Sequence, residues 1–172
     1  LITAAMNNPE RTNCYGLHEW AMVYKSDCIR HESTPLRLKP EQIEATIESA
    51  NICCTHYDAF RFFTQKAKPL NSLQPTPDER RINDQFGCVH FNMDLFKWCY
   101  KLHPWISSEL TLDCFLLAVE ARELDMRASP YDLQAFGYAP ILIETTEGKQ
   151  QYQSQQKAIA AKGRKLATHF LK

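Results

Sequence analysis

The sequence predicts an α+β domain that is mainly α-helical, with a helical core and a few short strands. Three observations carry that expectation. Leu110, Cys114, Leu117, Ala121 and Leu124 recur at helical spacing and mark one long core helix over about 107–127. Leu95, Trp98, Cys99 and Leu102 fall at i, i+3, i+4 and i+7 and mark a second. Ile52 to Phe63 is apolar at nearly every residue and rich in aromatic and β-favouring types, which predicts a buried strand.

At 172 residues the chain suits a single domain, and a globular chain of that size buries roughly 70% of its extended surface. Its 44% hydrophobic and 23% charged residues are those of an ordinary soluble protein. No apolar run reaches the ~20 residues of a membrane helix. The start at Leu1, without a signal-peptide pattern, reads as the carboxy-terminal part of a longer protein. Formal net charge is zero, which argues against a dedicated polyanion binder. The balance is uneven, since Lys149, Lys157, Lys162, Arg164, Lys165 and Lys172 follow the last acid, Glu147. Seven cysteines, with no CxxC pair among them and most inside apolar runs, read as free thiols in a reducing cytoplasm.

Taken in order, Leu1 to Met6 reads as a short helix end before the turn Asn7-Asn8-Pro9. Leu36 to Leu38 reads as a short strand, and Pro40 suits the first turn of a helix over Glu41 to Ala50. Residues 65–84 read as one long loop, punctuated by Pro69, Pro75 and Pro77 and by the charge run Asp78 to Arg81. The helix after Gly87 must end before Pro104. Ser107 or Ser108 caps the long helix, with Glu109 in its first turn. Ile141 to Thr145 reads as a strand, and 149–172 as a peripheral basic helix with few apolar anchors.

The chemistry sits in histidines beside carboxylates: His18-Glu19, His31-Glu32, His56 with Asp58, and His90 with Asp94. In an extended segment i and i+2 share a face, which joins His56 to Asp58, and on a helix i and i+4 share a face, which joins His90 to Asp94. The stretch Glu123 to Asp132 is dense in ionisable groups where Ser129-Pro130 stops the helix. Asp125 follows Ala121 by one turn and borders the buried face, whereas Glu123 lies about 200° round the helix from it and pairs with Arg122 or Arg127 in solvent. Tyr131 and Asp132 fall on a turn, the usual place for groups that reach a ligand.

Four blocks carry a family resemblance. They are Cys14-Tyr15-Gly16-Leu17-His18-Glu19-Trp20-Ala21-Met22-Val23-Tyr24, Cys54-Thr55-His56-Tyr57-Asp58-Ala59-Phe60-Arg61-Phe62-Phe63, His90-Phe91-Asn92-Met93-Asp94-Leu95-Phe96-Lys97-Trp98, and Glu123-Leu124-Asp125-Met126-Arg127-Ala128-Ser129-Pro130-Tyr131-Asp132. Together they resemble a bacterial family whose members are commonly labelled 3-methyladenine DNA glycosylase. The resemblance implies hydrolysis of an N-glycosidic bond, in DNA or a nucleoside-like small molecule, with no cofactor. Asp125, Asp132 or Asp58 would then stabilise the positive charge that develops on the sugar, with Arg127 beside them. His56, Tyr57, Asn92, Trp98 and Tyr131 would hold the substrate, with Phe60 and Phe62 among the residues that stack a base. Arg61, Arg80, Arg81 and the basic tail would contact phosphate.

Two other readings stand beside it. In one, His18, Glu19, His56, Asp58, His90 and Asp94 hold a divalent metal for chemistry on a small molecule. In the other, the same groups form a satisfied polar network in a non-catalytic module.

Overall fold

The computed structural model describes all 172 residues. Eight α-helices run in the order α1 (Ile2–Asn7), α2 (Leu17–Ala21), α3 (Pro40–Ser49), α4 (Tyr57–Phe60), α5 (Arg80–Asn83), α6 (Val89–Lys101), α7 (Ser108–Ala128) and α8 (Thr146–Phe170). Single 3-10 turns lie at Lys68–Leu70 and Gln134–Phe136. α6, α7 and α8 pack on one another and form the frame. α7 buries Cys114, Leu117, Ala121 and Leu124, the spacing that predicts it, and Ser107 caps it by accepting a hydrogen bond from the amide of Leu110 at 3.2 Å.

The fold is all-helical, not α+β. No sheet forms, and the only strand-like pairings are two isolated bridges, Leu36 with Tyr131 and Ile52 with Asn71. The segment 52–63 is buried but is not a strand. Its first half is extended and its second half is α4. Asn71 does there what a neighbouring strand would do: its Oδ1 accepts from the Cys54 amide at 2.7 Å and its Nδ2 donates to the Cys54 carbonyl at 2.9 Å. With those groups satisfied, burial needs no ladder. Residues 141–145 likewise form no strand; the Ile141 amide bonds the Arg127 carbonyl at 2.7 Å, and Thr145 caps α8 by accepting from Gly148 at 3.0 Å.

The carboxy-terminal helix is not peripheral. α8 buries Gly148, Tyr152, Gln156, Ile159, Ala160, Gly163 and Ala167 against the frame. Four of those seven are glycine or alanine, so the helix packs by close approach and needs few large anchors. A Cβ on Gly163 would stand 1.8 Å from Asn92 Oδ1, and one on Gly148 would stand 2.0 Å from the Leu142 carbonyl oxygen. Residues 65–84 are pinned rather than a plain loop: Asn8 Nδ2 donates to the carbonyls of Arg81 and Asp84 at 3.0 and 2.9 Å. No helix is long and apolar enough to cross a membrane.

Candidate metal centre and its cleft

Three helices deliver the central group of side chains. Gly16, in the left-handed region at φ 75°, turns the chain into α2 where a Cβ would stand 3.1 Å from the Ala128 Cβ and 3.3 Å from the Tyr152 ring. That approach lays α2 on the end of α7, where Trp20 Nε1 donates to the Ala128 carbonyl at 2.8 Å. His18 then points inward onto Asp125. His90 enters from the first turn of α6, a turn locked by Asn92, whose Nδ2 donates to the carbonyls of Phe86 and Cys88 at 2.7 and 2.8 Å.

His18 Nε2 stands 2.7 Å from Asp125 Oδ1, and His90 Nε2 stands 4.0 Å from Asp125 Oδ2. One nitrogen from each imidazole and one carboxylate oxygen lie within 4.8 Å of one another. The His18 and His90 rings meet edge to face with centroids 4.6 Å apart. Asp125 is completely buried and His18 is 2% exposed. His18 Nε2 and Asp125 Oδ1 face each other at that distance, and no third group bonds either atom. Their attraction is coulombic first, with a side-chain hydrogen bond adding to it. On its far side His18 Nδ1 lies 3.4 Å from the Cys14 thiol sulfur.

The electrostatics follow from burial and from one charge. Burial disfavours charge on His18, but Asp125 and Cys14 outweigh it and raise its pKa well above the usual histidine value. Burial likewise opposes ionisation of Asp125, and His18 overrides it, holding the carboxyl far below its usual range. His90 is pushed down to about 3, by burial first and then by the neighbouring His18 charge. His90 is therefore a neutral imidazole at pH 7, with a lone pair to give. A divalent cation bound here would take the place of the proton that Asp125 keeps on His18, freeing Nε2 as a donor.

A second group, His56, Asp58 and Asp94, lies alongside. His56 stacks on His90 with ring centroids 5.6 Å apart and places Nε2 3.2 Å from Asp94 Oδ2. Here the cations are already supplied. Arg80 bonds Asp94 and Asp84, and Lys97 Nζ stands 2.6 Å from Asp94 Oδ1. These neutralised carboxylates tie α4, α5 and α6 together and make a poorer metal site than His18, His90 and Asp125. The single six-residue metal set of the sequence reading thus divides. Glu19 leaves it too, because it sits 100° round α2 from His18 and pairs with Arg122 at 2.8 Å.

His90 opens on a cleft of about 650 Å³, also lined by Glu19, Asp58, Arg30, Arg61, Phe62 and Arg122. Arg30 and Arg61 both lie over the Phe62 ring, at 4.5 and 4.4 Å from its centroid. Asp58 is shared by Arg61 at 3.4 Å and Lys97 at 3.8 Å. Arg30 has no carboxylate within 4 Å among the ion pairs of the chain, so it is the surplus cation of the cleft.

Other residues singled out from the sequence fall elsewhere. Asp132 caps a turn, accepting from the Gln134 amide at 3.0 Å. Arg127 pairs with Glu123 at 3.4 Å and donates to the Ala139 carbonyl, because its position on α7 faces the 139 segment and not the cleft. Asn92 faces α8, and Trp98 sits beside Lys97 and Lys101. Tyr57 and Phe60 do not line the cleft, and Arg81 and the basic tail lie away from it. Tyr131 lines a separate depression of about 160 Å³ with Glu19, His31 and Arg122. The residues that sequence reasoning missed are Cys14 behind His18 and Arg122, which reaches Asp125 at 3.2 Å. Arg122 carried a signal, since it precedes Asp125 by three residues, a spacing that pairs on a helix face, whereas Cys14 lies before the left-handed turn at Tyr15 and Gly16 and reaches His18 by that turn.

No family model, no curated protein and no solved structure matches this chain.

Proposed function

We propose that this chain is a metal-dependent enzyme that uses water to split a bond in a small anionic molecule. One observation carries the reading: a buried nitrogen of His18, the open nitrogen of His90 and the Asp125 carboxylate converge within 4.8 Å, and no third group bonds His18 Nε2 or Asp125 Oδ1. Donors around a tetrahedral zinc-sized ion stand about 3.3 Å apart, from bonds of roughly 2.0–2.1 Å, so binding asks His18 Nε2 and Asp125 Oδ1 to part slightly from 2.7 Å and His90 Nε2 to close in from 4.0 Å. Two imidazoles and one carboxylate are a donor set for zinc and other first-row divalent cations. When bound, such a cation makes water a good nucleophile at neutral pH and polarises the oxygen under attack.

The chain's own residues do the rest. Cys14 orients His18 from behind, as outer partners of ligating imidazoles do. Arg122 spans Glu19 and Asp125 and holds both carboxylates in place. Glu19 and Asp58 line the cleft and are placed to take up or return a proton. Arg30, Arg61 and Phe62 form the wall on which an anionic, planar group would lie.

The N-glycosidic reading draws on one specific feature, that Asp58, Glu19 and Phe62 line this same cleft. It loses Asp125, which is wholly buried behind His90 and cannot lie against a sugar ring.

Elemental analysis of tag-free protein tests the proposal. It predicts close to one divalent ion per chain after zinc loading and dialysis, lost in His90→Ala and Asp125→Asn but kept in Asp94→Asn. Metal-free protein after loading would refute it. Release of free base from an alkylated nucleoside by metal-free protein would favour the glycosidic reading instead.

A further inference from the structure

Three depressions meet at Arg122. It lines the cleft over His90, the small depression at Tyr131, and a groove of about 280 Å³ walled by Phe96, Phe115, Ala118, Val119, Met126 and Tyr138. Arg122 and Glu123 are the charged residues of the groove's lining. Phe115 and Val119 stand 44% and 48% exposed at its wall. The charged cleft and the apolar groove thus share the Arg122 guanidinium as a common wall.

We infer that the substrate is amphiphilic: an anionic head lies in the cleft against Arg30 and Arg122, and an apolar tail lies along the groove between Phe96 and Val119. This deepens the proposed function and rests on the cleft over His90 being the reacting site. Charge complementarity assigns the head. Arg61 already shares Asp58 and Arg122 already spans Glu19 and Asp125, whereas Arg30 is unpaired and covers the Phe62 ring, so the cleft accepts one more negative group. Adjacency assigns the tail, since the same Arg122 side chain lines both the cleft and the groove. Size limits it. At the roughly 30 Å³ that one water takes in the liquid, 280 Å³ holds about ten methylene-sized groups. Leu112 and Leu116, the other exposed apolar residues of α7, lie outside the groove, so a broad protein-docking face is not what the concavity offers.

Calorimetric titration with methyl, butyl, octyl and dodecyl phosphate, below their micelle concentrations, tests this. The matching carboxylates show which head is preferred. Affinity is expected to rise about two- to fourfold per methylene, the factor that burying a CH₂ gives, and to level off near ten carbons. Val119→Asp, a change at an exposed position, is expected to flatten that rise while leaving methyl phosphate binding unaltered. Arg30→Ala is expected to weaken every member of the series by a similar factor. Affinity independent of chain length, or a rise that survives in Val119→Asp, overturns the proposal. So does a concentration-dependent dimer, seen by light scattering, that Val119→Asp abolishes while chain length has no effect. The series is run on zinc-loaded and EDTA-treated protein. A rise in protein that takes up no zinc contradicts the metal centre alone, and a flat series in protein that binds zinc contradicts the amphiphilic substrate alone.

Discussion

His18 Nε2 lies 2.7 Å from Asp125 Oδ1, in full burial, with no third group bonded to either atom. α2 brings one and α7 the other, and the approach depends on Gly16 lying against Ala128. The pair holds a proton between opposite charges, and a cation bound there would displace that proton from His18 and draw in His90 as a third donor.

Removing the charge of Asp125 therefore has a large cost. Asp125→Asn keeps the volume and leaves His18 buried without its counter-charge. Breaking a buried pair in this way destabilises by about 3–5 kcal/mol. For a chain of this length the melting temperature should fall by roughly 6–20 °C, read by calorimetry or circular dichroism. A change of a degree or less would show that the pair carries no weight in the fold.

Cys14 supports His18 through Nδ1 at 3.4 Å and does not touch the cleft. Cys14→Ala should weaken zinc binding by about 10–100-fold, the range for loss of an outer partner, with Cys14→Ser restoring much of it. Competition against a zinc-sensitive dye measures the change. Equal affinities in all three proteins would remove Cys14 from the centre.

How much of this was legible beforehand depended on whether the signal was local. α6 and α7 stood out because Leu95, Cys99, Cys114, Leu117 and Ala121 repeat at helical spacing, and Ser107 announced the cap. Residues 52–63 misled because aromatic and β-favouring side chains report burial, and burial came here from an asparagine, Asn71, distant in sequence, rather than from a sheet. α8 looked peripheral because its packing side uses glycine and alanine, which a search for large apolar anchors passes over. Within the site, the histidines and carboxylates were visible as residue types, but their partners were not. His18 pairs with Asp125 and His56 with Asp94, contacts that neighbouring positions in the sequence do not encode.

Gly163 offers a test of that small-residue packing. Alanine is the better helix former by about 1 kcal/mol. The Cβ would nevertheless meet Asn92 Oδ1 and the Phe86 ring, on side chains fixed by their own contacts. Gly163→Ala should destabilise by about 1–3 kcal/mol, as overpacking does, measured by urea unfolding. A stabilised variant would mean that α8 does not approach α6 this closely.

Arg37 grips Glu144 with both guanidinium nitrogens, at 2.6 and 2.7 Å. Partial burial opposes ionisation of Glu144, but the Arg37 contact outweighs it and lowers the carboxyl pKa. A depressed carboxyl stabilises the fold above its unfolded pKa, near 4.3, and that contribution disappears as pH falls through the folded value. The wild type should exceed Glu144→Gln by about 1 kcal/mol at pH 7, a modest figure because the pair is partly exposed. The difference should shrink toward zero below pH 4. A gap that persists undiminished in acid would assign the effect to packing.

The most direct measurement is a crystal structure of the zinc-loaded protein with anomalous data collected above the zinc absorption edge. The account predicts one strong peak at roughly 2.0–2.2 Å from His18 Nε2, His90 Nε2 and an Asp125 oxygen, with its open side toward the cleft. A peak at His56, Asp58 and Asp94 instead, or none at either group in protein exposed to excess zinc, would contradict it and leave these residues as a buried polar network that only shapes the core.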